Sequence, residues 1–127
     1  MRKTRILVVE DEAIIALHLT RKLAGAGFDI CGSTGSGEDA VSMARTLEPD
    51  VVLMDINLIG EMDGIEAARN IGAFSRARII FTTGHPDPEM RARAMSLNPA
   101  AYLDKPVEIG SIESAIRQSG DRRTCGA

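Results

Sequence analysis

The feature that most constrains the fold is an alternation. Short, continuous apolar runs take turns with stretches whose apolar residues recur at helical spacing. Ile6-Leu7-Val8-Val9 has no polar alternation, as a strand covered on both faces requires. Residues 13–26 place Ile14, Leu17 and Leu23 at helical intervals, and Gly25 and Gly27 punctuate the end. Residues 28–32 read as a second strand. Gly35-Ser36-Gly37 is a loop from which Ser36 or Gly37 opens a helix to about Leu47, stopped by Pro49-Asp50. Val51-Val52-Leu53-Met54 is the third run and ends on Asp55. A loop with Gly60 and Gly64 leads into a helix near residues 65–71. Residues 78–83 form the fourth strand, and Gly84-His85-Pro86-Asp87-Pro88 a loop. A short helix over 89–97, a short strand at Ala101-Tyr102-Leu103 and a last helix over 107–118 complete the order.

Five such strand–helix units imply an α/β fold, a doubly wound five-stranded parallel sheet with helices on both faces. In such sheets ligands bind beyond the carboxyl ends of the strands. The 127 residues fit one domain, with a core over about 5–118 and a flexible tail over 119–127. A start at Met1 and a short tail are what a stand-alone domain would have.

Composition excludes several classes. A net charge of −3 and 3% aromatic residues disfavour nucleic acid, which wants a basic face or stacking platforms. The basic residues at the ends (Arg2, Lys3, Arg5, Arg122, Arg123) read as solvated tails. No apolar stretch is long enough for a signal peptide or a membrane span, so a cytoplasmic location is expected. Cys31 and Cys125 lack metal or redox spacing. Cys31 reads as a buried hydrophobe and Cys125 as free.

The strand ends carry the chemistry. The first ends at Glu10-Asp11-Glu12, the third at Asp55 and the fourth at Thr82-Thr83, and Lys105-Pro106 follows the fifth. Alone, each acid reads as a solvated strand end. Together they make a carboxylate cluster that needs a cation. Mg²⁺ suits such oxygen donors, with Asp11, Asp55 and the Asn57 carbonyl as ligands and Glu10 acting through water. Lys105 is placed to pair with Asp55 at rest and to balance phosphoryl oxygens, and Thr83 offers them a hydroxyl. Asp55 would be the nucleophile of an in-line phosphoryl transfer. No Gly-x-x-x-x-Gly-Lys segment is present, which disfavours an NTP as donor.

The set Glu10-Asp11, Asp55, Thr83-Gly84, Tyr102 and Lys105-Pro106 resembles that of response-regulator receiver domains, over about residues 5–118. The resemblance implies a flavodoxin-like fold and phosphoryl transfer to Asp55 from a histidine kinase or histidine phosphotransfer protein, with Mg²⁺ required. It also implies a cis peptide between Lys105 and Pro106. The implied switch moves Thr83 toward the phosphoryl group and lets Tyr102 turn inward, altering a surface that a downstream protein, or a second copy of the chain, would read. The bland reading of Tyr102 is a half-buried strand residue with its hydroxyl in water.

Three departures stand out. Leu58-Ile59-Gly60-Glu61 lacks the frequent loop proline, and Asn98-Pro99 replaces a usual Gly-Ala. Phe81-Thr82-Thr83-Gly84-His85 is similar to a Phe-x-Thr-Gly variant of a receiver subgroup. Against these stands a Mg²⁺-dependent aspartyl-phosphate phosphohydrolase. Such enzymes carry an acid two residues past the nucleophile, where this chain has Asn57. A flavodoxin-like cofactor binder or an inactive receiver would not need the full acid, Thr and Lys set. His85 reads as a loop residue shaping access, and His18 as structural.

Overall fold

A computed structural model describes residues 3–85 and 87–126, with side chains in the last helix described as far as Gln118. Five strands, β1 (Arg5–Val9), β2 (Asp29–Thr34), β3 (Val51–Asp55), β4 (Arg78–Thr83) and β5 (Ala101–Asp104), form one sheet in the order β2-β1-β3-β4-β5. Every neighbouring pair is parallel. The helices α1 (Ala13–Gly25), α2 (Gly37–Leu47), α3 (Gly64–Gly72), α4 (Pro88–Met95) and α5 (Ile109–Gly126) connect and follow them.

The central strands are buried on both faces, which explains their continuous apolar runs. Alternate residues serve two separate cores. Leu7, Val9, Val52, Met54 and Phe81 pack with residues of α2, α3 and α4. Ile6, Val8, Val51, Leu53 and Ile80 pack with Leu19 and Leu23 of α1 and Ile112 and Ile116 of α5. Helix starts are locally encoded. Ser36 caps α2 by accepting from the Asp39 N–H at 3.1 Å, and Asp63 caps α3 by accepting from the Glu66 N–H at 2.9 Å.

Several boundaries differ from the sequence reading: α4 spans Pro88–Met95 rather than 89–97, and α5 starts at Ile109 rather than 107. β2 runs over Asp29–Thr34 rather than 28–32, because it is an edge strand held by pairing with β1 and not by an apolar run. The last helix continues past Gln118 to Gly126, since a glycine at 120 does not by itself end a helix. Cys31 is half-buried rather than fully buried, and its thiol lies 3.5 Å from the Ile6 carbonyl. Arg2, the side chains of Arg122 and Arg123, and that of Cys125, expected to be free, lie outside the described residues.

Candidate functional site

The site lies where four strands end together. β1 and β3 are adjacent, so Glu10-Asp11 and Asp55 leave the sheet side by side. Glu10 N–H donates to the Thr34 carbonyl at 2.9 Å, which extends the ladder and fixes the turn. Glu10 and Asp55 are 4% and 2% exposed, and Asp11 is half-buried. Carboxylate oxygens of Glu10, Asp11 and Asp55 all lie within 4.8 Å of one another, the geometry of a site that could hold a metal ion.

Lys105 reaches this cluster from the end of β5. Its main-chain N–H donates to the Thr83 carbonyl at 2.8 Å, and the Lys105–Pro106 peptide is cis. Its ammonium donates to Glu10 Oε1 at 2.7 Å and to Asp55 Oδ2 at 3.0 Å. The sequence reading paired Lys105 with Asp55 alone; the shorter contact goes to Glu10. Glu10 also accepts from the Glu12 N–H at 3.1 Å. Burial pushes the Glu10 carboxyl above its ordinary value, and the Asp55 charge adds to that push, while Lys105 and the Glu12 N–H oppose it. Burial alone would lower the Lys105 ammonium, but its bonds to Glu10 and Asp55 and their charges outweigh it and hold the group above its ordinary value. The two shifts have different dominant causes: burial for the Glu10 carboxyl, and the paired carboxylates, against burial, for the Lys105 ammonium.

The β3–α3 loop is pressed onto the site strand. Gly64 opens α3 directly against the Asp55 main chain, where a Cβ would overlap the Asp55 carbonyl oxygen. Asp55 Oδ1 accepts from the Asn57 N–H at 3.0 Å. The Asn57 side chain turns toward β4, where Thr83 Oγ1 donates to its Oδ1 at 3.0 Å. Thr83 is 1% exposed, and its hydroxyl also accepts from the His85 N–H at 3.1 Å. The His85 ring is exposed, as is that of His18 on α1.

Tyr102 is set apart from this cluster. It pairs beside Phe81 and packs on the same core as α4. Its hydroxyl is buried with no hydrogen-bond partner among the described residues, which differs from the bland reading of a hydroxyl in water. The Arg91 guanidinium of α4 lies 4.9 Å from its ring centroid.

The chain matches the response regulator receiver domain model over residues 6–117. It belongs to that family. The receiver chain is 36% identical over 118 residues to the transcriptional regulatory protein PdtaR of Mycobacterium tuberculosis, covering 93% of this chain and 57% of that one. It is 33% identical over 116 residues to the response regulator GacA of Pseudomonas aeruginosa, covering 90% and 54%. It thus spans little more than half the length of these curated relatives. Among solved structures, it is similar to the signal receiver domain of a modulated diguanylate cyclase from Desulfovibrio desulfuricans G20. That match has a TM-score of 0.92 at 35% identity and covers 99% of this chain and 100% of the other. FixJ-N matches with a TM-score of 0.81 at 27% identity, over 95% and 96%. The flavodoxin-like receiver fold follows. Among the described residues no helix is long and apolar enough to cross a membrane.

Two contacts had no clear sequence signal. The Glu10–Lys105 pair joins residues 95 positions apart, and the Asn57–Thr83 bond depends on a loop side chain's rotamer. Strand-end placement marks all four residues as neighbours but does not say who bonds whom.

Proposed function

We propose that Asp55 is the phosphoacceptor of this receiver domain, taking a phosphoryl group from the phosphohistidine of a histidine kinase or phosphotransfer protein. The observation that carries the reading is the ammonium of Lys105 shared between buried Glu10 and buried Asp55. Three carboxylates facing one ammonium leave two negative charges uncompensated. A divalent cation with a taste for hard oxygen would balance them, which fits Mg²⁺. Asp11, Asp55 and the Asn57 main-chain carbonyl would hold it, with Glu10 acting through water. When bound it would neutralise charge on the phosphoryl oxygens.

In the transfer, a carboxylate oxygen of Asp55 attacks phosphorus as the donor's P–N bond breaks. The bonding pair leaves on the donor imidazole, which takes a proton. Lys105 balances the added charge, and the Thr83 hydroxyl donates to a phosphoryl oxygen. Asn57 supplies no acid two residues past the nucleophile, which favours a switch over a turning-over phosphohydrolase; the domain's own chemistry is limited to gaining and losing this group. Its output is contact with a downstream protein or a second copy of the chain, through a surface of α4, β5 and α5 that Thr83 and Tyr102 switch from beneath. The reading places the chain in the cytoplasm as one receiver unit, core 5–118, that engages neither nucleic acid nor membrane.

The test is intact mass after incubation with Mg²⁺ and an acyl phosphate. One added phosphoryl group is expected, abolished by Asp55→Asn and by a chelator. An unchanged mass for the folded protein would overturn the reading. Sustained release of phosphate from monoesters would favour the hydrolase.

A further inference from the structure

We propose that the side-chain amide of Asn57 is a positioning group that ties Thr83 to α4, so that the state of Asp55 reaches that helix through one planar amide. The inference rests on the Asp55 reading and adds a route for its output.

Asn57 has three links. Its main-chain N–H donates to Asp55 Oδ1 at 3.0 Å, its Oδ1 accepts from Thr83 Oγ1 at 3.0 Å, and its Nδ2 reaches Met90 Sδ at 3.8 Å. The amide is oriented with Oδ1 toward Thr83 and Nδ2 toward Met90, and the needs of the hydroxyl agree with that. Thr83 Oγ1 already accepts from His85 N–H, so its own proton must find an acceptor. Asn57 Oδ1 is the nearer one, the His85 carbonyl lying at 3.2 Å. That leaves the amino end of the amide facing the Met90 sulfur. Because the amide is rigid, a turn that follows one end displaces the other.

Apart from the Arg91 guanidinium over the Tyr102 ring, little else holds α4. Ala94 is its one buried residue among the eight. Arg93 reaches Asp63 at 3.9 Å, but the contact is long and the Arg93 side chain is about half exposed, where such a pair contributes little. Met90, by contrast, is half-buried and packs on the core shared with Phe81, Ala94 and Tyr102. A phosphoryl group on Asp55 presents charged acceptors that outcompete a neutral amide oxygen for the Thr83 hydroxyl. Once Thr83 leaves, the amide is free to rotate and Met90 loses its N–H.

The test uses methyl signals of ¹³C-methyl-methionine protein by NMR, with Met90 assigned through Met90→Leu. In the unphosphorylated protein, Thr83→Val should shift the Met90 signal in the wild-type background and leave it in place in Asn57→Ala. Asn57→Asp, which keeps an acceptor for Thr83 but has no N–H for sulfur, should displace Met90 by itself. An equal Thr83→Val shift in both backgrounds, or none in the wild type, overturns the proposal. The remaining methionine signals report whether each variant is folded. With acyl phosphate and Mg²⁺, wild-type Met90 should shift, and phosphorylated Asn57→Ala, its load verified by mass, should not. A wild-type protein that gains mass without moving Met90 also overturns the relay. A wild-type protein that gains no mass overturns the Asp55 reading instead, and the unphosphorylated arm still judges the amide.

Discussion

Helices α3 and α4 begin alike and end up held very differently. Each follows a strand that delivers a residue to the site, each is short, and each is capped by an aspartate, Asp63 or Asp87. α3 buries Gly64, Ile65, Ala67, Ala68 and Ile71; α4 buries Ala94 alone. The same local signals therefore build one helix welded to the sheet and one that lies against it. The Asp55 side of the site is fixed by the first, and the Thr83 side adjoins the second. A switch needs both: a rigid frame to position chemistry, and a neighbouring element with little packing energy to overcome.

The sharpest way to break that contrast is to cut each helix's anchor. Ile65→Ala should cost about 2–5 kcal/mol in urea unfolding, as buried isoleucine truncations do. Ala94→Gly should cost about 1 kcal/mol, mostly helix propensity. Equal costs would mean that α4 is as firmly seated as α3.

Cap removal separates global from local stability. Asp63→Ala should lower global stability by about 1 kcal/mol. Asp87 accepts from the Glu89 N–H at 2.9 Å and the Met90 N–H at 3.5 Å. Asp87→Ala should lose the same helix energy as local fraying, visible as faster amide exchange in α4 with a much smaller change in the urea midpoint. A full global loss from Asp87→Ala would contradict the loose seating of α4.

The smallest effects concern Tyr102, the chain's single tyrosine in the absence of tryptophan. Burial raises its phenol above the ordinary value; the Asp104 and Asp87 charges add to this and Arg91 opposes it. Phenolate absorbance should therefore rise at a higher pH in the folded protein than in urea. The sign for stability follows: the neutral phenol's contribution is complete below the unfolded value, about 10, and is lost as pH climbs through the folded one. Arg91→Ala should move the folded midpoint up further and cost about 0.5–1 kcal/mol. An unmoved midpoint would show that Arg91 does not hold the ring.

Much of this was legible from residue order. The runs at Ile6, Val51 and Ile79 announce buried strands because nothing polar interrupts them. The chain-end rule of parallel sheets then gathers Glu10, Asp11, Asp55, Thr83 and Lys105 without any coordinate. What stayed hidden depends on tertiary detail. β2 is an edge strand, so its bounds come from its partner rather than its own pattern. Glu10 takes the shorter bond from Lys105, because which of two adjacent carboxylates an ammonium prefers is decided by fractions of an ångström. The seating of α4 was invisible for a similar reason: Pro88, Glu89 and Arg91 spell a helix start and say nothing of how deeply it packs.

The bond from Lys105 to Glu10 joins residues 95 positions apart, and every strand but β2 must be in place before it can form. Closing so large a loop comes late, after most of the chain's entropy has been surrendered. A nascent or partly unravelled chain that has not brought its fifth strand home has the acids without the ammonium. Under the proposed reading of Asp55, competence to be charged is thus a certificate of completed folding.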